Sequence, residues 1–458
     1  MQAPQFDFVT DGITFVNPLG LLFIVGMGIL LVALPRRHSM IPIIATICYM
    51  TMGMRIMVGG LNFTMMRILL LFGVVRVLAR GEWRVIRFGP VDKMIIWMTL
   101  SNIVAYTLLW RSFGAFKWVI GSAYNSLGWY LVFRCLIRDD DDLLRSVKSM
   151  AVLMVPLACF MIGEKLTGKN VFAVFGGVPK MSFVRNGALR CEGPFAHPIL
   201  AGTFGATLFP LFVGLWYARR RLRWAAVSGG IAAVVMIVTS ASSGPLLACV
   251  AACVALALWP LRKRMRWIRW AIAIGLLGLH LVMKAPVWFL LDRVDVVSGS
   301  TGFHRAILID SWIHNFSDWW LVGTKSTEAW ASADYRLFDV TNNYVEVSAN
   351  GGLLTLLLFL AVLVRCFSGV GTSIRHLARQ GSGLGMQLMI WALGCALFAH
   401  CVSFLSVTYF DQNSVNWGLL LAMIATMAML HRGAAVRTSP ALRLPEKSPI
   451  QRAKYGTV

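Results

Sequence analysis

Two arginines are the residues most able to do chemistry in this chain. Arg190 opens the run Arg190-Cys191-Glu192-Gly193-Pro194-Phe195-Ala196-His197-Pro198. The glycine-proline pair there enforces a turn, and Pro198 suits the first turn of a helix. Arg305 belongs to a segment, Phe303 to Phe316, whose helical spacing puts Leu308, Ile309, Trp312 and Phe316 on one stripe. Arg305 falls in the middle of that stripe, while Asp310 and His314 project from the opposite face. An arginine on an apolar face must find an acid or an anionic ligand, because an unpaired buried charge is costly. The plain alternative is an internal ion pair with Asp292, Asp295 or Glu192. Guanidinium forks match phosphate oxygens and stay charged at any working pH, so two of them on one side of a membrane suit a shared diphosphate. Departure of a diphosphate from a sugar needs stabilised charge rather than an acid of matched pKa, and arginines supply it without a metal. A carboxylate or imidazole would then deprotonate the attacking hydroxyl. The structural alternatives are an Arg190 that only snorkels to headgroups and a His197 that only starts a helix.

The elements that must position these residues are membrane helices. The chain has 458 residues, of which 58% are hydrophobic and 14% charged, and its mean hydropathy is +0.70. That composition excludes a water-soluble globular enzyme. The expected fold is all-α, a polytopic bundle with about thirteen apolar runs near 18–34, 39–57, 61–79, 92–110, 115–137, 147–163, 198–216, 224–240, 243–260, 267–283, 351–367, 386–408 and 415–431. Arg55, Gly59, Gly60, Asn62 and Arg67 interrupt the second and third of these. The net charge of +23 would suggest nucleic acid on a soluble chain, but here the basic residues sit between apolar runs and orient the protein in its membrane. With the N-terminus outside, the inward links hold 29 of the 43 Lys and Arg, which favours N-out and C-in. Blocks such as Arg219-Arg220-Arg221-Leu222-Arg223 then anchor topology against anionic lipid.

Two outward links, 164–197 and 284–350, are too long to be turns and gather most of the outward ionisable groups, so they are where a site is expected. The chain thus divides into N-terminal helices over 1–163, a loop-bearing region over 164–431 and a basic, disordered inward tail over 432–458. The run Asp139-Asp140-Asp141-Asp142 lies on the inward side, where adjacent carboxylates before a helix cap it rather than bind metal. Ser240-Ala241-Ser242-Ser243-Gly244-Pro245 reads as a short outward hairpin explained by turn chemistry. The nine cysteines contain no CxxC pair and lie mostly in apolar segments, which indicates neither a disulfide framework nor a zinc site.

Arg190 with Gly193-Pro194-Phe195-Ala196-His197-Pro198, the Ser-Gly-Pro hairpin, Arg305 with Trp312, Leu321-Val322-Gly323, and Asn342-Asn343-Tyr344-Val345-Glu346 before Gly351-Gly352-Leu353 together resemble the bacterial O-antigen ligase and polysaccharide polymerase superfamily. The resemblance covers about 190–360, in the family's order. It implies a fold resembling GT-C-type glycosyltransferases and a metal-independent, cofactor-free glycosyl transfer from an undecaprenyl-diphosphate-linked oligosaccharide, on the periplasmic face of the inner membrane. Membrane lipids, and other proteins of polysaccharide assembly and export, are the further partners it implies; nucleic acid is not one. Arg190 and Arg305 match the two arginines that hold the diphosphate. Where the ligases carry a histidine followed by asparagine, this chain has Asn342 ahead of Asn343, and the Asn343-Tyr344 pair is closer to the polymerases. Glu192, Asp339 and Glu346 are the candidate bases, and His197, His304, Asn342, Asn343 and Tyr344 the candidate substrate contacts. The implied activity is polymerisation of exopolysaccharide or O-antigen repeats, with ligation to the lipid A core as the nearest alternative. A transporter or flippase is the rival from another class, but apart from Arg55 to Arg67 the charges lie at the edges rather than at mid-membrane. A scaffold for an export complex is the remaining alternative.

Overall fold

The computed structural model describes residues 14–58, 61–293, 301–330 and 340–437. The described chain is built from helices α1 Pro18–Ala33, α2 Met40–Tyr49, α3 Met65–Ala79, α4 Pro90–Trp110, α5 Phe113–Leu136, α6 Asp140–Thr167, α7 Pro198–Ala218, α8 Arg223–Thr239, α9 Ser243–Ala257, α10 Met265–Val282, α11 Leu290–Arg293, α12 Thr301–His314, α13 Phe316–Trp319, α14 Asn343–Arg379, α15 Leu384–Ser403 and α16 Asp411–Arg437. Two antiparallel hairpins interrupt them: β1 Arg55–Val58 with β2 Leu61–Thr64, and β3 Phe183–Arg185 with β4 Ala188–Arg190.

Among the described residues, eight helices are long and apolar enough to cross a membrane: α4, α6, α7, α8 and α10 each with the turn before it, α14, α15 and α16. About thirteen were expected, and the remaining apolar runs form shorter or more polar elements. Helices α1, α3 and α9 have 16, 15 and 15 residues, about 23 Å of rise against roughly 30 Å of hydrocarbon. Helix α5 is long enough, but Lys117, Asn125 and Arg134 dilute its hydropathy. The run 39–57 is not one helix: α2 stops at Tyr49 and Arg55 enters β1, which pairs with Thr64. At Gly53, between α2 and β1, a Cβ would lie 2.2 Å from Cα of Gly177, so this position has no room for a side chain. Helix α16 also runs to Arg437, inside the segment expected to be a tail; residues 438–458 lie outside the described residues.

The contacts gather links expected on one side of the membrane at one end of the bundle. At one end Arg36 pairs with Asp142 and donates to the Leu136 carbonyl at 3.0 Å, Arg219 pairs with Asp141, and His431 lies 3.7 Å from Asp140. Asp139 caps α6 by accepting from the Asp142 N–H at 2.7 Å. The acidic run is thus a cap and an ion-pair knot that gathers the inward links. At the other end Asn17 Nδ2 donates to the Val174 carbonyl at 2.7 Å, and Gln412 Nε2 donates to the carbonyls of Met50 at 3.1 Å and Pro194 at 3.0 Å. The long outward links sit on this end.

Close to the end that holds Arg36 and Asp142 lies a buried ion pair between Asp92 and Arg134. Asp92, with no exposed surface, accepts from Arg134 Nε at 2.8 Å, the Tyr130 hydroxyl at 2.7 Å and the Gly89 N–H at 2.6 Å. Arg134 in turn donates to Thr426 at 2.6 Å, which ties α4 and α5 to α16. Removing one partner strands the other charge in low dielectric, so Asp92→Ala is expected to cost about 3–5 kcal/mol. Thermal unfolding of the detergent-solubilised protein checks this, and Asp92→Asn, which keeps an acceptor, should lose less.

Candidate functional site

The 164–197 link delivers Arg190 through a hairpin. Asn186 and Gly187 both have positive φ, 51° and 75°, the geometry of a tight two-residue turn, and this sets Phe183 opposite Arg190. Beyond β4 the chain turns at Gly193, whose φ is +57°. Glu164, in the last turns of α6 and 1% exposed, clamps that turn. Its Oε1 accepts from the Glu192 N–H at 3.0 Å and the Ser182 hydroxyl at 2.7 Å, and its Oε2 accepts from the Gly193 N–H at 2.9 Å. Asn170 Nδ2 holds the Gly193 carbonyl at 2.7 Å, and the Cys191 N–H donates to the Thr239 carbonyl at 3.0 Å. Four elements therefore fix the backbone on both sides of Arg190 before its side chain makes any contact.

That side chain, 5% exposed, reaches the Ser240–Pro245 hairpin. Its Nη2 donates to the Ser242 hydroxyl at 2.5 Å and its Nε lies 3.5 Å from the Ser240 carbonyl. Ser242 is the N-cap of α9, yet its hydroxyl makes no cap bond to the helix. Arg305 approaches the same helix end: its Nη2 lies 3.9 Å from where a Cβ on Gly244 would stand, and the residue is 9% exposed. Two guanidiniums, a serine hydroxyl and the N-terminus of a 15-residue helix thus meet at one point. The first-turn N–H groups of a helix have no intrahelical partner and carry positive partial charge, so the helix end and the two guanidiniums together favour an anion. The electrostatics bear the strain of that arrangement. Burial lowers the pKa of Arg190, and the Arg185 and Arg305 charges lower it further, against the opposing pull of Glu192.

Helix α12 is held by its apolar stripe. Leu308 is fully buried against Trp319, Trp330, Val345 and Leu356, with Trp312 packed on the same cluster. Trp312 Nε1 donates to Ser348 at 2.9 Å. The expected helix to Phe316 ends earlier: α12 stops at His314, and Phe316 begins α13 and is exposed, so it does not continue the stripe. On the other face Asp310 accepts from Trp288 Nε1 at 3.1 Å and faces His314 at 3.4 Å, as the helical spacing predicts. The Leu321-Val322-Gly323 and Gly351-Gly352-Leu353 motifs fit into one another. Gly352 has φ +69° and breaks α14; the Leu353 N–H donates to the Trp320 carbonyl and the Thr324 N–H to the Ala349 carbonyl, both at 2.8 Å. The break lets the loop after α13 hydrogen-bond into α14, and so anchors the arm that carries Arg305.

The other candidates divide by what they touch. Glu192 is 4% exposed, its Oε1 has no hydrogen-bond partner, and burial together with the Glu164 carboxylate pushes its pKa up to about 8 against the opposing Arg190 charge. His197 caps α7, its Nδ1 accepting from the Ile199 N–H at 3.2 Å. The ring edge reaches solvent, yet crowding by the surrounding protein, then Arg190 and Arg185, lowers its pKa to about 4. His304 adjoins Arg305 on α12 and is partly buried. Asn342 caps α14 by accepting from the Tyr344 N–H at 2.9 Å and the Val345 N–H at 3.3 Å. Asn343 accepts from the Tyr409 N–H at 3.2 Å. Tyr344 donates to the Cys401 carbonyl at 3.1 Å among Phe359 and Phe404. Asn343 and Tyr344 tie α14 to the end of α15 and the link beyond it. Glu346 accepts from Asn350 Nδ2 at 2.7 Å. Asp339 lies outside the described residues.

The sequence reading missed Glu164 as the clamp and Ser242 and Gly244 as the meeting point. The second omission had a visible signal, since Ser-Ser-Gly before Pro245 is a helix start with no acidic residue in its first turn. The architecture is that of a multi-pass helical membrane protein with a cluster of arginines at the start of α9. No model of a known protein family matches the chain, and no curated protein matches it.

Proposed function

We propose that the protein is a glycosyltransferase that joins undecaprenyl-diphosphate-linked oligosaccharide repeats into exopolysaccharide or O-antigen on the periplasmic face of a bacterial inner membrane, without a metal and with inversion at the anomeric carbon. The observation that carries this reading is the meeting of Arg190 and Arg305 at the N-terminus of α9. A diphosphate placed there gains two charge-assisted contacts and the helix end, and the same groups stabilise the charge that builds on it as the glycosidic bond breaks. The acceptor hydroxyl attacks from the opposite face and gives its proton to a carboxylate, with Glu346 and Asp339 as candidates alongside Glu192. Ligation of glycan to the lipid A core is the second reading, because the same leaving-group site serves either acceptor.

Incubating membranes that contain the protein with undecaprenyl-diphosphate-linked repeat and with lipid A core separates the two. A ladder of longer lipid-linked products is the result expected of a polymerase. Glycan found only on lipid A would replace that reading with the ligase.

A further inference from the structure

Glu192 stands out as a buried acid with an unpartnered oxygen, Oε1, beside the two-arginine cluster. Its backbone N–H is held by Glu164 from α6, and its carboxyl is enclosed beside that same carboxylate and beside Arg190. Both oxygens of Glu164 already accept hydrogen bonds, from two backbone N–H groups and the Ser182 hydroxyl, so Glu164 is filled as an acceptor. Glu192 Oε1 has neither donor nor acceptor within reach. Arg190 offsets it only in part: its charge favours the carboxylate, but its Nη2 donates to Ser242 and its Nε faces the Ser240 carbonyl rather than Glu192. A buried polar atom left in this state costs free energy unless a ligand completes it.

We propose that Glu192 is held as a neutral acid and donates a hydrogen bond to an oxygen of the same diphosphate that Arg190 pairs with. The inference rests on the glycosyltransferase reading and gives Glu192 a role other than the base. A carboxylic acid in a low-dielectric site can keep its proton at neutral pH, and such a proton is a strong donor to an oxyanion. The contact strengthens as negative charge collects on the leaving oxygen, which places Glu192 among the groups that stabilise the departing diphosphate. The charged groups that face it from neighbouring elements, Glu164 on α6 and Arg190 on β4, set the sign of its pH dependence. With its pKa near 8, Glu192 is neutral below that pH and a carboxylate above it. As a carboxylate it repels the diphosphate and draws Arg190 away from it, so binding is full at lower pH and is lost as pH rises through about 8.

The test uses the full chain in nanodiscs and undecaprenyl diphosphate as the probe. Wild-type affinity is expected to fall by up to about tenfold between pH 7 and pH 9, the loss of the protonated fraction of a group with this pKa. Glu192→Gln keeps a donor that cannot ionise, so it should bind nearly as well as wild type at pH 7 and hold that affinity at pH 9. Glu192→Ala should bind more weakly at both. Equal pH dependence in wild type and Glu192→Gln would overturn the proposal, as would failure of Glu192→Gln to bind at pH 7. Arg190→Ala separates the two levels of the argument. If it binds the probe as wild type does, the glycosyltransferase site itself is wrong; if it loses binding while the Glu192 variants leave the pH profile unchanged, only the role of Glu192 fails.

Discussion

Arg190→Ala and Arg305→Ala are each expected to slow glycosyl transfer by about 10²–10³-fold, the usual cost of removing one preorganised contact to developing negative charge. The two side chains meet at the start of α9 and would act on one leaving group as a unit. The double variant should therefore lose little more than either single one. Lysine should rescue only part of the loss, since it brings a point charge but not the planar fork. The fold should tolerate Arg190→Ala, because the Ser242 hydroxyl keeps the Ser240 carbonyl as a partner at 3.0 Å and Glu164 holds the turn through backbone N–H groups. Single-turnover transfer from the lipid-linked donor, with membrane content matched by immunoblot, checks the magnitude. Accumulated donor in the variants would show that the step lost is transfer.

Gly352→Ala carries the second large effect, although it touches no substrate. Its φ of +69° with ψ −175° lies in a region essentially reserved for glycine, which costs an L-residue about 1–3 kcal/mol. The new Cβ would also lie 2.5 Å from the Leu321 carbonyl oxygen and 3.0 Å from the Val322 nitrogen, both backbone atoms that cannot move alone. Relief requires the Trp320–Thr324 strip to leave the break in α14, and α12 with Arg305 is packed against the Trp319–Val345 cluster beside that strip. Activity should fall as far as in Arg305→Ala while the Asp92–Arg134 core stays intact. Gly371→Ala on the same helix is the control, because nothing lies within 4 Å of its added Cβ. Limited proteolysis should show faster cleavage near 315–330 in Gly352→Ala and none of that change in Gly371→Ala.

Much of the frame was legible because membrane helices declare themselves locally. Apolar runs, basic links on alternate sides and the capping Asp139 are short-range signals, and the inward ion pairs of Asp140, Asp141 and Asp142 agree with them. What failed was length and continuity. A run such as 39–57 reads as one span by hydropathy, but it breaks after Tyr49 and packs Gly53 against Gly177, more than a hundred residues away. The site was half legible for the same reason. Arg190 and Arg305 announce themselves as charges that need an anion, whereas Glu164 and Ser242 matter only because folding brings them to Arg190. The fit of the Leu321–Gly323 and Gly351–Leu353 motifs is likewise a tertiary event that spacing alone does not give.

The most direct measurement is glycan sizing in a strain deleted for this protein and complemented with wild type, Arg190→Ala or Arg305→Ala at matched membrane expression. The lipid-linked and the lipid A-linked pools are sized separately. The account predicts single lipid-linked repeats in the deletion and in both variants, with long polymer restored only by wild type. Long polymer of wild-type amount and length in both variants would contradict it.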